Sequence, residues 1–212
     1  MFLSPAIANA QTVSRHMNEQ KMNSFLTENL KEDFLITLYF NTSEGFEDAG
    51  LKRAYLDFNR TLKIKDGNKK RRDEKRLISQ DYLKKELLTL ISSPITSQTE
   101  FDQKHKKMCL DLIDNWDELS IGQAQKWINM TLKYWLLFGE KRINNIEKNA
   151  VFFHIPIDSY VQKGMFSEKY PKAWSKIKNY KDYFEYQIKQ REKVTGKAPL
   201  LDEFIFFNNY KS

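Results

Sequence analysis

Two residues carry the chemistry this sequence offers. One is Lys126, inside S-I-G-Q-A-Q-K-W-I-N-M-T-L-K-Y-W at 120–135; the other is Asp158, inside F-F-H-I-P-I-D-S-Y-V at 152–161. Burial disfavours the charged form of an amine, so a lysine among apolar neighbours loses its proton more readily than one in water. Such an amine is a nucleophile that forms Schiff bases. The aspartate follows 32 residues later, two after Pro156. A carboxylate there either caps a helix N-terminus or faces a developing cation and takes the proton of the amine. Each residue alone has an ordinary structural explanation, as a surface lysine and a capping aspartate. Their order makes them a candidate pair: a turn, the lysine helix, a long connection, then an aspartate set by proline. His154, just before Asp158, is a further candidate for proton transfer or for contact with a sugar or phosphate, or else a polar residue at a loop edge. Asp102 and His105 share a helix face at i, i+3. No third ligand accompanies them, so no metal site is expected.

The elements that must position this pair read as helices. Apolar residues recur at helical spacing through most of the chain. Seven glycines and five prolines in 212 residues leave few tight turns for strand hairpins. The spacing predicts helices over 6–17, 21–40, 47–63, 79–91 with Ser79 as N-cap, and 99–113. Residues 66–76, D-G-N-K-K-R-R-D-E-K-R, read as a polar connection. Ser120 opens the helix that carries Lys126, which runs to Phe138 and ends at Gly139. A connection with a short helix follows over 140–155, then a helix starting at Pro156 with Asp158 in its first turn. Helices over 179–195 and 201–208 complete the chain. The fold class is all-α, and 1–212 is read as one domain.

Hydrophobic residues at 41% and aromatics at 14% supply a sizeable core. Charged residues at 30% and a mean hydropathy of −0.66 predict a soluble protein. No apolar run approaches the roughly 20 residues that span a bilayer. The opening M-F-L-S-P-A-I-A-N-A lacks a basic region and a continuous apolar stretch, so it is not read as a signal peptide. The single cysteine, Cys109, excludes internal disulfides and four-cysteine metal or iron–sulfur sites, and a cytoplasmic location is expected. The net charge of +7 and pI of about 9.2 favour a polyanionic partner. The basic run 69–76 and the cluster Lys104, Lys106 and Lys107 are either phosphate contacts or solvated surface.

The stretch 119–161 resembles the helix-hairpin-helix DNA glycosylases, in which a hairpin precedes a lysine helix and a proline-containing segment presents an aspartate. I-P-I-D-S-Y-V looks like the aspartate segment of the 8-oxoguanine glycosylases. The long interval from lysine to aspartate and G-Q-A-Q-K-W-I-N-M-T-L-K-Y are most similar to the divergent archaeal-type 8-oxoguanine DNA glycosylase family. The resemblance implies two lobes around a cleft, here 1–65 plus 166–212 against 77–165. It implies double-stranded DNA carrying a modified base as the partner, no cofactor, no membrane, and a monomer. Lys126 and Asp158 become the catalytic pair, acting on a base that has left the stack, with abasic-site lyase activity following from the Schiff base. The hairpin residues Ser120, Ile121, Gly122 and Gln123 become the phosphate-holding turn. Gly122 is its only glycine, so Ser120, Gln123 or Gln125 are left to share that task. Trp127, Met130, His154 and Pro156 become the base-pocket candidates. The excised base is 8-oxoguanine or another modified base, including one of phage DNA, so repair and anti-phage defence are both open. The alternative from composition alone is a non-enzymatic basic helical protein that binds nucleic acid or a partner.

Overall fold

A computed structural model describes residues 27–63, 67–193 and 198–211. The helix expected at 6–17 and the first part of that expected at 21–40 lie outside the described residues. Every regular element among the described residues is helical. They are α1 (Glu28–Tyr39), α2 (Phe46–Phe58), α3 (Lys69–Ser92), α4 (Gln98–Asn115), α5 (Ile121–Phe138), α6 (Ser159–Gly164), α7 (Tyr180–Lys193) and α8 (Pro199–Lys211). Short 3-10 turns occur at Asn59–Thr61, Ala150–Phe152 and Trp174–Lys176. None of these helices is long and apolar enough to cross a membrane.

The chain divides into two compact units, one ending at Asn41 and one starting at Thr42. In the first, Thr27 caps α1 by accepting from the Leu30 amide at 3.2 Å, and Ile36 is its buried residue. In the second, α5 is the central element. Every residue from Ile121 to Trp135 is buried. A helix apolar on most of its circumference requires cover on all sides. Here α2, α3, α4, α7 and the Trp174–Lys176 turn all pack against it.

The α2–α5 contact shows how the sequence specifies this packing. The indoles of Trp127 and Trp135 donate to the carbonyls of Leu51 and Glu47 at 3.1 and 3.0 Å. Satisfying these N–H groups is what permits burial of two such large rings. A Cβ on Gly50 would stand 2.6 Å from Trp135 Cδ1, so only glycine lets the indole lie flat on α2 there. Tyr55 and Phe58 close the contact with ring centroids 5.5 Å from Trp127.

Two expectations are corrected at α3. The run 69–76 is helix rather than connection, because Asn68 caps it by accepting from the Arg71 amide at 3.1 Å. The first two turns carry no apolar residue to reveal their period. Their cations instead meet α2 and the α4–α5 connection. Arg76 lies 5.7 Å from the Tyr55 ring centroid, Arg71 lies 3.8 Å from Glu118, and Lys75 pairs with Asp117. Ser79 is accordingly not an N-cap but a fully buried mid-helix residue.

Candidate active site

The site is built from the first turn of α5. Ser120 is its N-cap: Oγ accepts from the Gln123 amide at 3.1 Å, and the Gln123 side chain accepts from the Ser120 amide at 2.9 Å. This capping box satisfies two of the donors that a helix start leaves open. The segment 174–177 closes over the same turn. Ser120 Oγ donates to the Ser175 carbonyl at 2.7 Å, and the Gly122 amide donates to the Ile177 carbonyl at 3.1 Å.

The amides of Gly122 and Gln123, expected to hold a phosphate, are engaged inside the protein here. Ile121 is buried, and the Gln123 side chain reaches Thr61 Oγ1 at 2.9 Å. A Cβ on Gly122 would lie 1.8 Å from the Trp174 carbonyl oxygen. Glycine is required here by backbone contact rather than by a ligand. Gly122→Ala is expected to lower stability by about 2 kcal/mol or more, the scale of forced overpacking. Urea denaturation reads it, and a loss below about 0.5 kcal/mol would exclude the contact as described.

One turn further along α5, Lys126 is only 5% exposed. Its Nζ donates to Asp158 Oδ2 at 2.5 Å, and the Trp174 ring centroid lies 5.9 Å from the same atom. Asp158 is the N-cap of α6 rather than a first-turn residue, and its Oδ1 accepts from the Tyr160 and Val161 amides at 2.9 and 3.0 Å. One carboxylate oxygen therefore caps α6 and the other faces the Lys126 ammonium. Burial pushes the Asp158 carboxyl up. The Lys126 charge and hydrogen bond, with the two amides, outweigh this and hold it below its ordinary value.

A second carboxylate stands within reach of these charges. Asp57 of α2 accepts from Tyr134 Oη at 2.6 Å and lies 3.7 Å from Arg53. Burial holds its carboxyl above the ordinary value, against the Tyr134 hydrogen bond and the positive charges of Lys126 and Arg53, while Asp158 pushes it the same way as burial. Sequence reasoning missed Asp57. It sits on a charged stretch of α2 with no motif to mark it, and only the packing of α2 on α5 brings it near Lys126.

The expected base-pocket residues are all buried. Trp127 is fully buried and belongs to the α2–α5 core. Met130 and Pro156 are buried as well. His154 is 1% exposed and sits in a polar network with His105, Tyr180, Tyr183, Asn129, Asp102 and Arg191. The Asn129 amide group donates to Tyr183 Oη at 2.9 Å, so its Oδ1 accepts from His105 Nε2 at 3.0 Å. Tyr183 Oη bonds His154 Nδ1 at 2.8 Å, and His154 Nε2 lies 2.8 Å from Asp102 Oδ1 and 2.7 Å from Arg191 Nη2. Arg191 binds both oxygens of Asp102 at 2.7 and 3.0 Å. Asp102 and His105 thus meet in a hydrogen-bonded core, and the described residues include no group of three His, Cys, Asp or Glu arranged to hold a metal.

This network fixes a pH dependence. Burial pulls the His154 ring down to about 4 from 6.5, outweighing Asp102, and drives His105 well below its ordinary value. Between those two pH values the unfolded chain binds protons that the folded one does not, so stability falls as pH drops. His154 alone accounts for a loss on the order of 3 kcal/mol by pH 4. Denaturant titrations at pH 7, 5.5 and 4.5 check this, and a stability independent of pH across them would rule it out.

The basic run is largely paired, with Lys69 and Lys70 its exposed cations. Lys107 pairs with Asp111 at 2.5 Å, and Lys104 lies 3.8 Å from Glu100. A surface cavity of about 360 Å³ is lined by Lys172, Lys176, Lys189, Glu168, Glu185 and Tyr186 among others, and a smaller one of about 130 Å³ lies between α3 and α4. Neither is lined by Lys126 or Asp158. No family model, curated protein or solved structure matches this chain.

Proposed function

We propose that the protein is a DNA N-glycosylase that excises a modified base through an amine nucleophile, with abasic-site lyase activity. The observation that carries this reading is the pair itself. A lysine 5% exposed, on the central helix, donates at 2.5 Å to a carboxylate whose other oxygen is fixed by two helix amides. The basic balance of +7 suits a nucleic-acid partner.

In this reading Lys126 passes a proton to Asp158 along their hydrogen bond and becomes a neutral amine. The nitrogen attacks the sugar C1′, and the bond from C1′ to the base breaks with its electron pair leaving on the base, which takes up a proton. Loss of a proton from the lysine nitrogen and opening of the sugar ring give the iminium. Removal of a C2′ proton then expels the 3′ phosphate, and water releases the lysine. Asp158 is a negative charge in contact with the Lys126 nitrogen, positioned to stabilise the cationic intermediate. The two-lobed form, the cleft for an everted base, 8-oxoguanine or a phage-type modified base as substrate, and the choice between repair and defence all belong to this proposal.

One observation favours the alternative of a non-enzymatic basic binding protein. The Gly122 and Gln123 amides are already satisfied within the fold. Borohydride decides between the two. The protein is incubated with duplexes carrying 8-oxoguanine, other modified bases or an abasic site, then reduced. A covalent adduct supports the enzyme. Binding to every duplex with no adduct and no released base supports the binder.

A further inference from the structure

We infer that Gln125 is a positioning residue that sets the register of Asp158 against Lys126. Lys126 and Asp158 belong to segments 32 residues apart, and their immediate predecessors are bonded to one another. The Gln125 side chain accepts from the Ile157 amide at 3.1 Å and donates to the Ile157 carbonyl at 2.9 Å. A side-chain amide thus makes on Ile157 the pair of bonds that a neighbouring strand would make. Its second N–H goes to the Gly122 carbonyl at 2.9 Å, and its oxygen also accepts from Asn129 at 3.1 Å. All four hydrogen-bonding positions of the carboxamide are filled in a residue with no exposure. Only a carboxamide of this length offers a donor and an acceptor side by side to the N–H and C=O of one residue.

The neighbouring residues provide an internal comparison. Gln187 of α7 makes the same two bonds to Ile155, at 3.1 and 2.9 Å. Pro156, between the two clamped residues, has no N–H to satisfy. Gln125 and Gln187 therefore contribute the same number of bonds to one segment, but Gln125 grips the residue joined to Asp158 and is itself joined to Lys126. Gln125 also bonds Gly122 and Asn129, so a purely structural role predicts a larger loss of stability for Gln125 but no selective change at the Asp158 carboxyl. A positioning role predicts that selective change.

The test compares Gln125→Met, Gln125→Asn and Gln187→Met with the wild type. The Asp158 carboxyl is followed by carbon NMR through a pH titration, which needs no catalytic activity. The expected result is an upward shift of the Asp158 midpoint by about one pH unit in both Gln125 variants, with a shift under half as large in Gln187→Met. An unchanged midpoint in a folded Gln125 variant overturns the proposal, as does an equal shift in Gln187→Met. Failure of both Gln125 variants to fold, with Gln187→Met folded, would assign Gln125 to the fold instead and also overturns it. A second arm rests on the glycosylase reading: single-turnover excision slows at least tenfold in the Gln125 variants, with the substrate concentration for half-maximal rate unchanged. If the wild type forms no adduct, that reading fails while the NMR arm still decides the role of Gln125.

Discussion

Lys126→Gln is expected to reduce the borohydride-trapped adduct to background on any duplex that traps the wild type, with base release down by a thousandfold or more, on the order expected when a covalent nucleophile is lost. Glutamine keeps much of the length and fills much of the volume, so the core around α5 has no cavity to collapse. Its amide still donates a hydrogen bond to Asp158 but carries no charge. The variant also loses stability, because Asp158 is left partly buried without its cation. Removing one partner of a buried pair costs about 3–5 kcal/mol. The lower end applies here, since the Asp158 side chain is 21% exposed and retains the Tyr160 and Val161 amides. Circular dichroism and a denaturation midpoint confirm that the variant is folded under the assay conditions. Trapping is then compared at equal folded fraction. An adduct that persists undiminished would transfer the nucleophile to another amine. Lys133 is the natural suspect, two turns along α5, where it pairs with Glu203 at 2.5 Å under the Phe204 and Phe207 rings.

The helical class was legible because the apolar positions of α2, α4 and α5 keep one period long enough to register. Start signals worked where the capping side chain stood next to that period. Ser120 opens α5 and Gly139 ends it as expected. They failed at α3, where Lys69–Arg76 is helical by virtue of Asn68 and of partners on other elements. A charged helix start and a charged loop share a composition, and only tertiary contacts separate them.

For the site, the sequence showed the pair and its order but not what holds it. Lys126 and Asp158 meet because Gln125 bonds the backbone beside Asp158, and no spacing rule marks a glutamine that binds the N–H and C=O of a distant residue. Gly122 was read as part of a phosphate-holding turn, yet its missing Cβ admits the Trp174 carbonyl. The two readings share one signal, a glycine at a helix start, and differ in what approaches it. Trp127 illustrates the same ambiguity for aromatics. A ring beside a reactive residue in sequence faces about 100° away from it on a helix, and here it enters the α2 core.

Asp158→Asn separates the two tasks of one side chain. Asparagine caps helices about as well as aspartate, so Oδ1 still accepts from the Tyr160 and Val161 amides and α6 keeps its start. The other position becomes an NH₂ group facing the Lys126 ammonium, donor against donor, and the ion pair is lost. Base excision is then expected to fall by about 10²–10⁴-fold, the usual scale for a proton-transfer group, with the far-ultraviolet signal of the helices intact. Stability is expected to fall by roughly 3 kcal/mol at pH 7, because Lys126 is nearly fully buried and has lost its closest anion. Acid sensitivity must change with it. In the wild type the Asp158 carboxyl titrates below its ordinary value, so its stabilisation is complete above the unfolded value and disappears as pH falls through the folded one. The gap between wild type and Asp158→Asn should therefore narrow toward acid pH. Asp158→Ala removes the cap as well, and its further loss of about 1 kcal/mol over Asp158→Asn measures the capping alone. If Asp158→Asn retained full excision while Asp158→Ala lost it, the carboxylate would be a cap and nothing more, and Lys126 would have to find its proton acceptor elsewhere, with Asp57 the candidate that the charge coupling identifies.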